Sequence, residues 1–260
     1  MSTVDAPEDL HITAGRIAVP VLVLLLWQVL ASVAGEFTLA PPAASFAALV
    51  GGFTEGWMVP ALRQTAVELV LAYGIAVVTG IWLGVTLGLN DFLNDVFEPL
   101  VVGVYSIPKV TLFPVFLMLF QLGTDMMVAF GWFHGIFPIA IVTLGSMATI
   151  RDEHLKLARS LGLSRLQTFR EIIVPSILPG LVIGLRLGFN LTFLGVVLGE
   201  MFASSAGLGY ALRNYITGDQ TARMLAIIVV LVLVATAVNG LFFYIEGRLG
   251  AQDEHASMRA

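Results

Sequence analysis

Long uncharged runs dominate the chain, and the alternation of apolar and polar positions that marks half-buried strands is missing from them. Crossing the hydrocarbon core of a bilayer as a helix takes about 20 apolar residues. Four runs approach or exceed that length without a charge: Ile17 to Gly35, Leu69 to Asn90, Met126 to Ile150 and Met224 to Ile245. Two more are each interrupted by one base, Pro99 to Gly123 by Lys109 and Ile177 to Gly199 by Arg186. The pattern predicts an all-α integral membrane protein with six transmembrane helices. Transmembrane strands would alternate in hydropathy, so the continuous runs argue against a barrel.

Between the runs, one stretch has a different character. From Arg151 to Pro175 the chain reads RDEHLKLARSLGLSRLQTFREIIVP. Leu155, Ala158 and Leu161, then Leu166, Phe169 and Ile173, recur at helical spacing on either side of Gly162. Gly162 can take the left-handed conformation that closes a helix, and Ser164 with Gln167 three residues later forms a capping-box pattern that opens the next. Pro175 is expected to end that second helix, because the residue before a proline is biased away from helical geometry. Two short amphipathic helices around a turn, at the surface, are therefore predicted.

Composition supports the class: 58% of the 260 residues are hydrophobic and 12% charged, whereas soluble domains carry roughly 25% charged residues. Disulfides, thiolate metal sites and a cysteine nucleophile are excluded, since the chain has no cysteine. Cytoplasmic loops carry the excess of Lys and Arg. With the N-terminus inside, Arg16, the five bases of residues 151–171, Arg248 and Arg259 fall on the cytoplasmic side, against Arg63, Arg213 and Arg223 outside. Both termini are then cytoplasmic. The organisation expected is a cytoplasmic tail (1–15), a first transmembrane helix (16–35), an external loop with a short surface helix (36–63), a core of five helices (64–246) including the loop at 151–175, and a second tail (247–260). A cleavable signal ending near Ser32-Val33-Ala34 competes for the first run, but Asp5, Glu8 and Asp9 precede it where a signal would be positive. The short stretch holding Asp91, Asp95 and Glu98 reads as a loop.

Glycines repeat every fourth residue at Gly80, Gly84 and Gly88 and again at Gly180, Gly184 and Gly188, with Gly195 and Gly199 continuing a similar face. Small residues at that spacing let membrane helices approach closely. No G-x-x-x-x-G-K-[ST] loop is present to hold nucleotide phosphates, so energy for transport would come from a partner or an ion gradient. His134 has no H-E-x-x-H context, and Ser204-Ser205 has no base beside it. No catalytic group and no metal ligand set is therefore assigned, and nothing points to nucleic acid. Asp125 and Glu200 fall at predicted external ends of spans, where a solvated structural role is expected. Arg186 is expected to snorkel to the interface.

The 151–175 stretch resembles the EAA loop of bacterial ABC-importer permeases. Gly162 takes the glycine position, nine residues follow to Glu171, and Ile172 to Pro175 supply the end. Lys156, Leu157 and Ala158 stand where that pattern has Glu-Ala-Ala. Ile107-Pro108-Lys109 with Pro114, Leu178-Pro179 through Arg186, and Leu198-Gly199-Glu200-Met201 followed by Gly207-Leu208-Gly209 are similar to segments of the nitrate/sulfonate/taurine-type permeases. The resemblance implies a type I ABC-importer permease fold in the bacterial inner membrane. It implies as partners a second permease copy, two copies of a cytoplasmic ABC ATPase that bind ATP and Mg, an external substrate-binding protein and membrane lipid, with no cofactor in this chain. ATPase docking would fall to Lys156, Leu157, Ala158, Gly162, Leu163, Ile172 and Pro175. Lys109, Trp132, His134, Asn190 and Thr192 are candidates for the pathway, with Phe133 and Phe193 beside them. The alternative is a secondary transporter or channel that works without an ATPase.

Overall fold

The computed structural model describes residues 6–35, 38–150, 158 and 160–257. Among these every regular element is helical. In chain order they are α1 (Ala6–Ala34), α2 (Pro42–Thr54), α3 (Met58–Gly88), α4 (Asp91–Ser106), a 3₁₀ turn (Lys109–Leu112), α5 (Phe113–Phe120), α6 (Thr124–Ala148), α7 (Arg165–Ala203), α8 (Leu208–Thr217) and α9 (Thr221–Ser257).

Of the described helices α3, α6, α7 and α9 are long and apolar enough to cross a bilayer, and α4 with α5 makes a fifth, broken span. The sixth expected run corresponds to α1, whose described apolar part, Ala18–Ala34, is shorter. Its Val19, Leu22 and Val33 are open to the surroundings, as lipid-facing residues are.

The broken span differs from the single interrupted helix expected from Pro99 to Gly123. Two prolines explain it. Pro108 holds Ile107 in an extended conformation (φ −69°, ψ 134°), α5 starts again with Pro114 in its first turn, and the two halves meet at 88°. Asp91, Asp95 and Glu98 lie in α4 and not in a loop, because Asn90 caps that helix by accepting from the Leu93 N–H at 3.1 Å. Arg63, expected in a loop, lies on α3, which already begins at Met58.

The chain divides into two units. The smaller comprises residues up to 59 with 211–230. Inside it, Trp27 donates to the Ala40 carbonyl at 3.0 Å, Arg223 pairs with Glu55 at 3.4 Å, and the Trp57 and Tyr215 rings meet edge to face at 5.3 Å.

Residues 60–210 with 231–260 form the larger unit, built around α6. On one side Gly80, Gly84 and Gly88 of α3 lie against Ile139, Thr143 and Met147 of α6. On the other, Gly184 of α7 faces Val142, and α6's own Gly131 faces Val196. Glycines on both partners bring backbones close enough for dispersion contacts to hold helices together where lipid supplies no hydrophobic drive. α9 joins α7 through polar contacts: Asn190 and Asn239 exchange amide hydrogen bonds of 3.1 and 2.7 Å, and Arg186 pairs with Glu246 at 2.9 Å while its guanidinium covers the Phe243 ring. Arg186 is thus paired inside the bundle instead of snorkelling, since Glu246 offers the charge that a lone arginine would seek at the interface.

Candidate functional site

Three places carry polar chemistry within the larger unit. The first is the turn at Gly162. Ala158 is helical and fully buried, the Leu163 N–H donates to its carbonyl at 3.0 Å, and Gly162 has φ +69°. That is a helix closed by a left-handed glycine with the six-to-one bond of a Schellman turn. Ser164 then opens α7: its hydroxyl accepts from the Gln167 N–H at 3.3 Å and the Gln167 side chain accepts from the Ser164 N–H at 2.9 Å, a full capping box. Leu161 and Leu166 flank the turn and are about two-thirds exposed. A cavity of about 990 Å³ lies alongside, lined by Leu163, Arg165, Thr168, Phe169 and Ile173 with Gly88, Asp91 and Met147. Lys156 and Leu157 lie outside the described residues.

Pro175 does not end this second helix. A π-helical turn, Phe169–Ile173, precedes it, and the Val174 N–H reaches back to the Phe169 carbonyl. The widened turn makes room for the proline ring, and the missing donor falls at the junction where the α-helical ladder restarts. Ile172 lies in the π turn. As a result α7 runs unbroken for 39 residues.

The second place is the middle of the bundle, where the expected pathway residues separate onto different faces. Lys109, only 9% exposed, donates to the Tyr105 carbonyl at 3.0 Å, with the Tyr105 and Phe137 ring centroids 4.4 and 5.7 Å from its nitrogen. In a continuous helix that carbonyl would accept from the backbone N–H of residue 109. At the break the side chain of the same residue takes its place. His134 is buried against Gly195 of α7, its Nδ1 2.8 Å from the Phe130 carbonyl. Thr192, one turn from Gly195, lies against Gly135, and its hydroxyl has no partner among the described residues. His134 and Thr192 therefore share the α6–α7 seam. Trp132 points the other way and donates to Thr79 of α3 at 2.9 Å, Asn190 faces α9, Phe133 packs on Phe116 and Phe137, and Phe193 stacks on Phe189.

The third place was not expected. Glu200, predicted to be solvated, is fully buried, and so is Glu68 of α3. By contrast Asp125 is exposed. The two carboxyls are neighbours, since the Thr65 hydroxyl that Glu200 holds lies one turn before Glu68 on α3. Glu200 accepts from the Thr65 hydroxyl and from the Gly209 N–H, both at 2.7 Å, and the Leu208 N–H donates to the Thr65 oxygen at 2.8 Å. Gln64 donates to Glu68 at 2.8 Å and to Thr124 at 3.0 Å. Gly207 has φ +95°, and a Cβ on it would strike the Glu200 carboxylate; one on Gly209 would stand 2.8 Å from the Glu200 Cβ. The Gly207-Leu208-Gly209 turn thus wraps the carboxylate so closely that only glycine fits at either end. Gln64, Thr65 and Glu68 at helical spacing on an otherwise apolar span were the available signal, because an intramembrane acid needs a partner.

Comparison with known proteins places this architecture. The family described as binding-protein-dependent transport system inner membrane component matches residues 76–251. The chain is 27% identical over 198 residues to the nitrate import permease protein NrtB of Synechococcus elongatus, covering 72% of this chain and 71% of that protein. It is 25% identical over 196 residues to the formylaminopyrimidine transport permease protein ThiX of Halalkalibacterium halodurans, covering 75% and 78%. A chain of the MetNI methionine ABC transporter in an inward facing conformation has the same fold, with a TM-score of 0.66 at 19% identity over 74% of this chain and 95% of that one.

Proposed function

The chain belongs to the family of inner membrane components of binding-protein-dependent transport systems and is a permease subunit of an ABC importer; from that premise we propose that two copies of it enclose the path of a small anionic or organic solute and are driven by two ATPases docked on residues 151–175. An external binding protein delivers the solute, and ATP and Mg are held by the ATPases. The two named relatives carry nitrate and formylaminopyrimidine, which sets the range of sizes considered.

The observation that carries this reading is the turn at Gly162. Two leucines stand exposed on a rigid, doubly capped turn beside a cavity, and the turn opens directly into the longest apolar helix of the larger unit. A movement imposed on Leu161 or Leu166 by a partner would reach the bundle through α7, into which the capped turn opens directly. The bases of residues 151–171 support a cytoplasmic position for this turn, the side on which an ATPase works. Lys109 would then offer a positive charge to an anion crossing the break between α4 and α5.

The test is reconstitution. Coexpressed with its ATPase, the chain should copurify with it, and ATP hydrolysis in liposomes should rise when loaded binding protein is added outside. Solute uptake by the chain alone, driven by an ion gradient without any ATPase, would establish the secondary-transporter alternative in its place.

A further inference from the structure

The Glu68–Glu200 pair presents a problem of charge. Two carboxyls, each at most 1% exposed, lie side by side at Thr65 inside the bundle. The groups that donate to them are Gln64, Thr65 and the Gly209 N–H, and none of these is a cation. Two carboxylates side by side away from water would repel strongly, and the groups that donate to them bring no positive charge to offset it. The hydrogen bonds also divide unequally. Both Glu200 oxygens accept, one from Thr65 and one from Gly209, as a carboxylate does. On Glu68 Oε1 accepts from Gln64, and Oε2 is buried with no donor among the described residues. An oxygen with no donor beside a carboxylate that can accept more is the position of an acid proton.

We propose that Glu68 is held as the neutral carboxylic acid and donates through Oε2 to the Glu200 carboxylate, so that one shared proton clamps the α7–α8 turn to α3. The proton removes the repulsion and supplies the donor that Oε2 lacks. Glu200, now a single buried anion with three or more donors, in turn fixes the first turn of α8 through the Gly209 N–H, and through Thr65 the Leu208 N–H. A carboxylate at the start of a helix also satisfies its orphan donors and its dipole. Glu68 is thereby a positioning residue that acts on α8 through Glu200. The clamp joins three helices at one end of the bundle, whichever solute is carried.

The experiment compares Glu68→Gln with Glu68→Leu in the assembled transporter in lipid nanodiscs. Infrared spectroscopy of the unchanged complex should contain a carboxylic-acid C=O band that shifts in D₂O and vanishes in Glu68→Gln. The glutamine amide carries its own N–H donors, so uptake should stay within about twofold of the unchanged complex. Glu68→Leu strands the Glu200 charge and should lower uptake at least about tenfold. No band assignable to Glu68, or a glutamine variant as impaired as the leucine one, would overturn the proposal. A native complex that needs Na⁺ for uptake, with Glu68→Gln abolishing that need, would overturn it too, since the pair would then hold a metal cation and not a proton.

Discussion

Gly84 offers a sharp test of how α3 is held to α6. A Cβ at that position would stand 2.6 Å from the Thr143 Cβ and 2.7 Å from the Ala140 carbonyl oxygen. Carbon contacts settle at about 3.5–4.0 Å. Gly84→Ala therefore forces the two helices apart by roughly 1 Å there, and neither neighbour is the loose end of a flexible chain. Overpacking of that kind costs about 1–3 kcal/mol. Gly74 on the same helix has nothing within 4 Å of a Cβ, so Gly74→Ala carries the same gain in helix propensity, about 0.5–1 kcal/mol, without the clash. The propensity terms cancel between the two variants, and the difference between them isolates the packing cost. At about 2–4 °C per kcal/mol for a protein of this size, Gly84→Ala should melt roughly 2–12 °C below Gly74→Ala. The measurement is a thermal unfolding curve in detergent, followed by a cysteine introduced at a buried position of α6, which the cysteine-free chain makes unambiguous. Equal melting temperatures would refute the close approach of α3 and α6 and the packing role of the glycine repeat.

The other predictions concern topology, coupling and charge. Cysteines at Leu161, which is exposed on the turn, and at Ala256 should be shielded from an impermeant thiol reagent added outside while one at Ser205 reacts, and external labelling at Leu161 would reverse the orientation. Gly162→Val places a branched side chain at φ +69°, a strain of about 1 kcal/mol or more; insertion should survive and ATPase capture weaken, and a variant that assembles and transports normally would remove the turn from the coupling route. Lys109→Met should slow uptake while loaded binding protein still stimulates ATP hydrolysis; unchanged uptake would make the lysine a structural charge. Arg186→Met should destabilise by on the order of 1–3 kcal/mol, because it leaves Glu246 alone within the bundle, and Arg186→Met with Glu246→Leu should recover most of that loss in the same melting assay.

What could be read in the chain before folding was whatever depends on neighbours in sequence. Span positions follow from composition over about 20 residues, and the turn at Gly162 follows from Gly, Ser164 and Gln167 within six positions. Pro108 marked the place of the break but not its 88° angle, which is set by Ile107 turning extended and by how α5 restarts. Pro175 misled for a related reason: its effect depends on whether the preceding turn is α or π, and a wider hydrogen-bond ring has no signature in single residues. Glu200 misled most. Its partners Thr65 and Glu68 lie on another helix more than a hundred residues away, and no periodicity along α7 distinguishes an end that faces water from one that folds under a glycine turn. Arg186 and Glu246 hid from local reading in the same way.

α7 ties these observations together. At 1.5 Å per residue its 39 residues span about 58 Å, more than a bilayer core needs. One end begins in the capping box at Ser164, the middle is locked to α6 by glycine contacts, and the far end carries Glu200 into the clamp. The π turn at Phe169–Ile173 is the single place along it where the hydrogen-bond ladder changes register, and such turns are where helices yield. Under the proposed docking, a push at Leu161 and Leu166 would first be taken up at that turn, and only a displacement large enough to move the helix bodily would reach Glu200. Deleting one residue between Phe169 and Ile173 would convert the π turn to regular helix while leaving the turns on either side in nearly the same register, because the widened turn is where the extra residue is held. The bundle should still form, since Ile173 and Ile177 keep their places against Met147, and with the yielding turn gone smaller displacements at Leu161 and Leu166 should reach Glu200, so that uptake per ATP hydrolysed rises. An unchanged ratio of uptake to hydrolysis after that deletion would mean that force enters the bundle by some element other than α7.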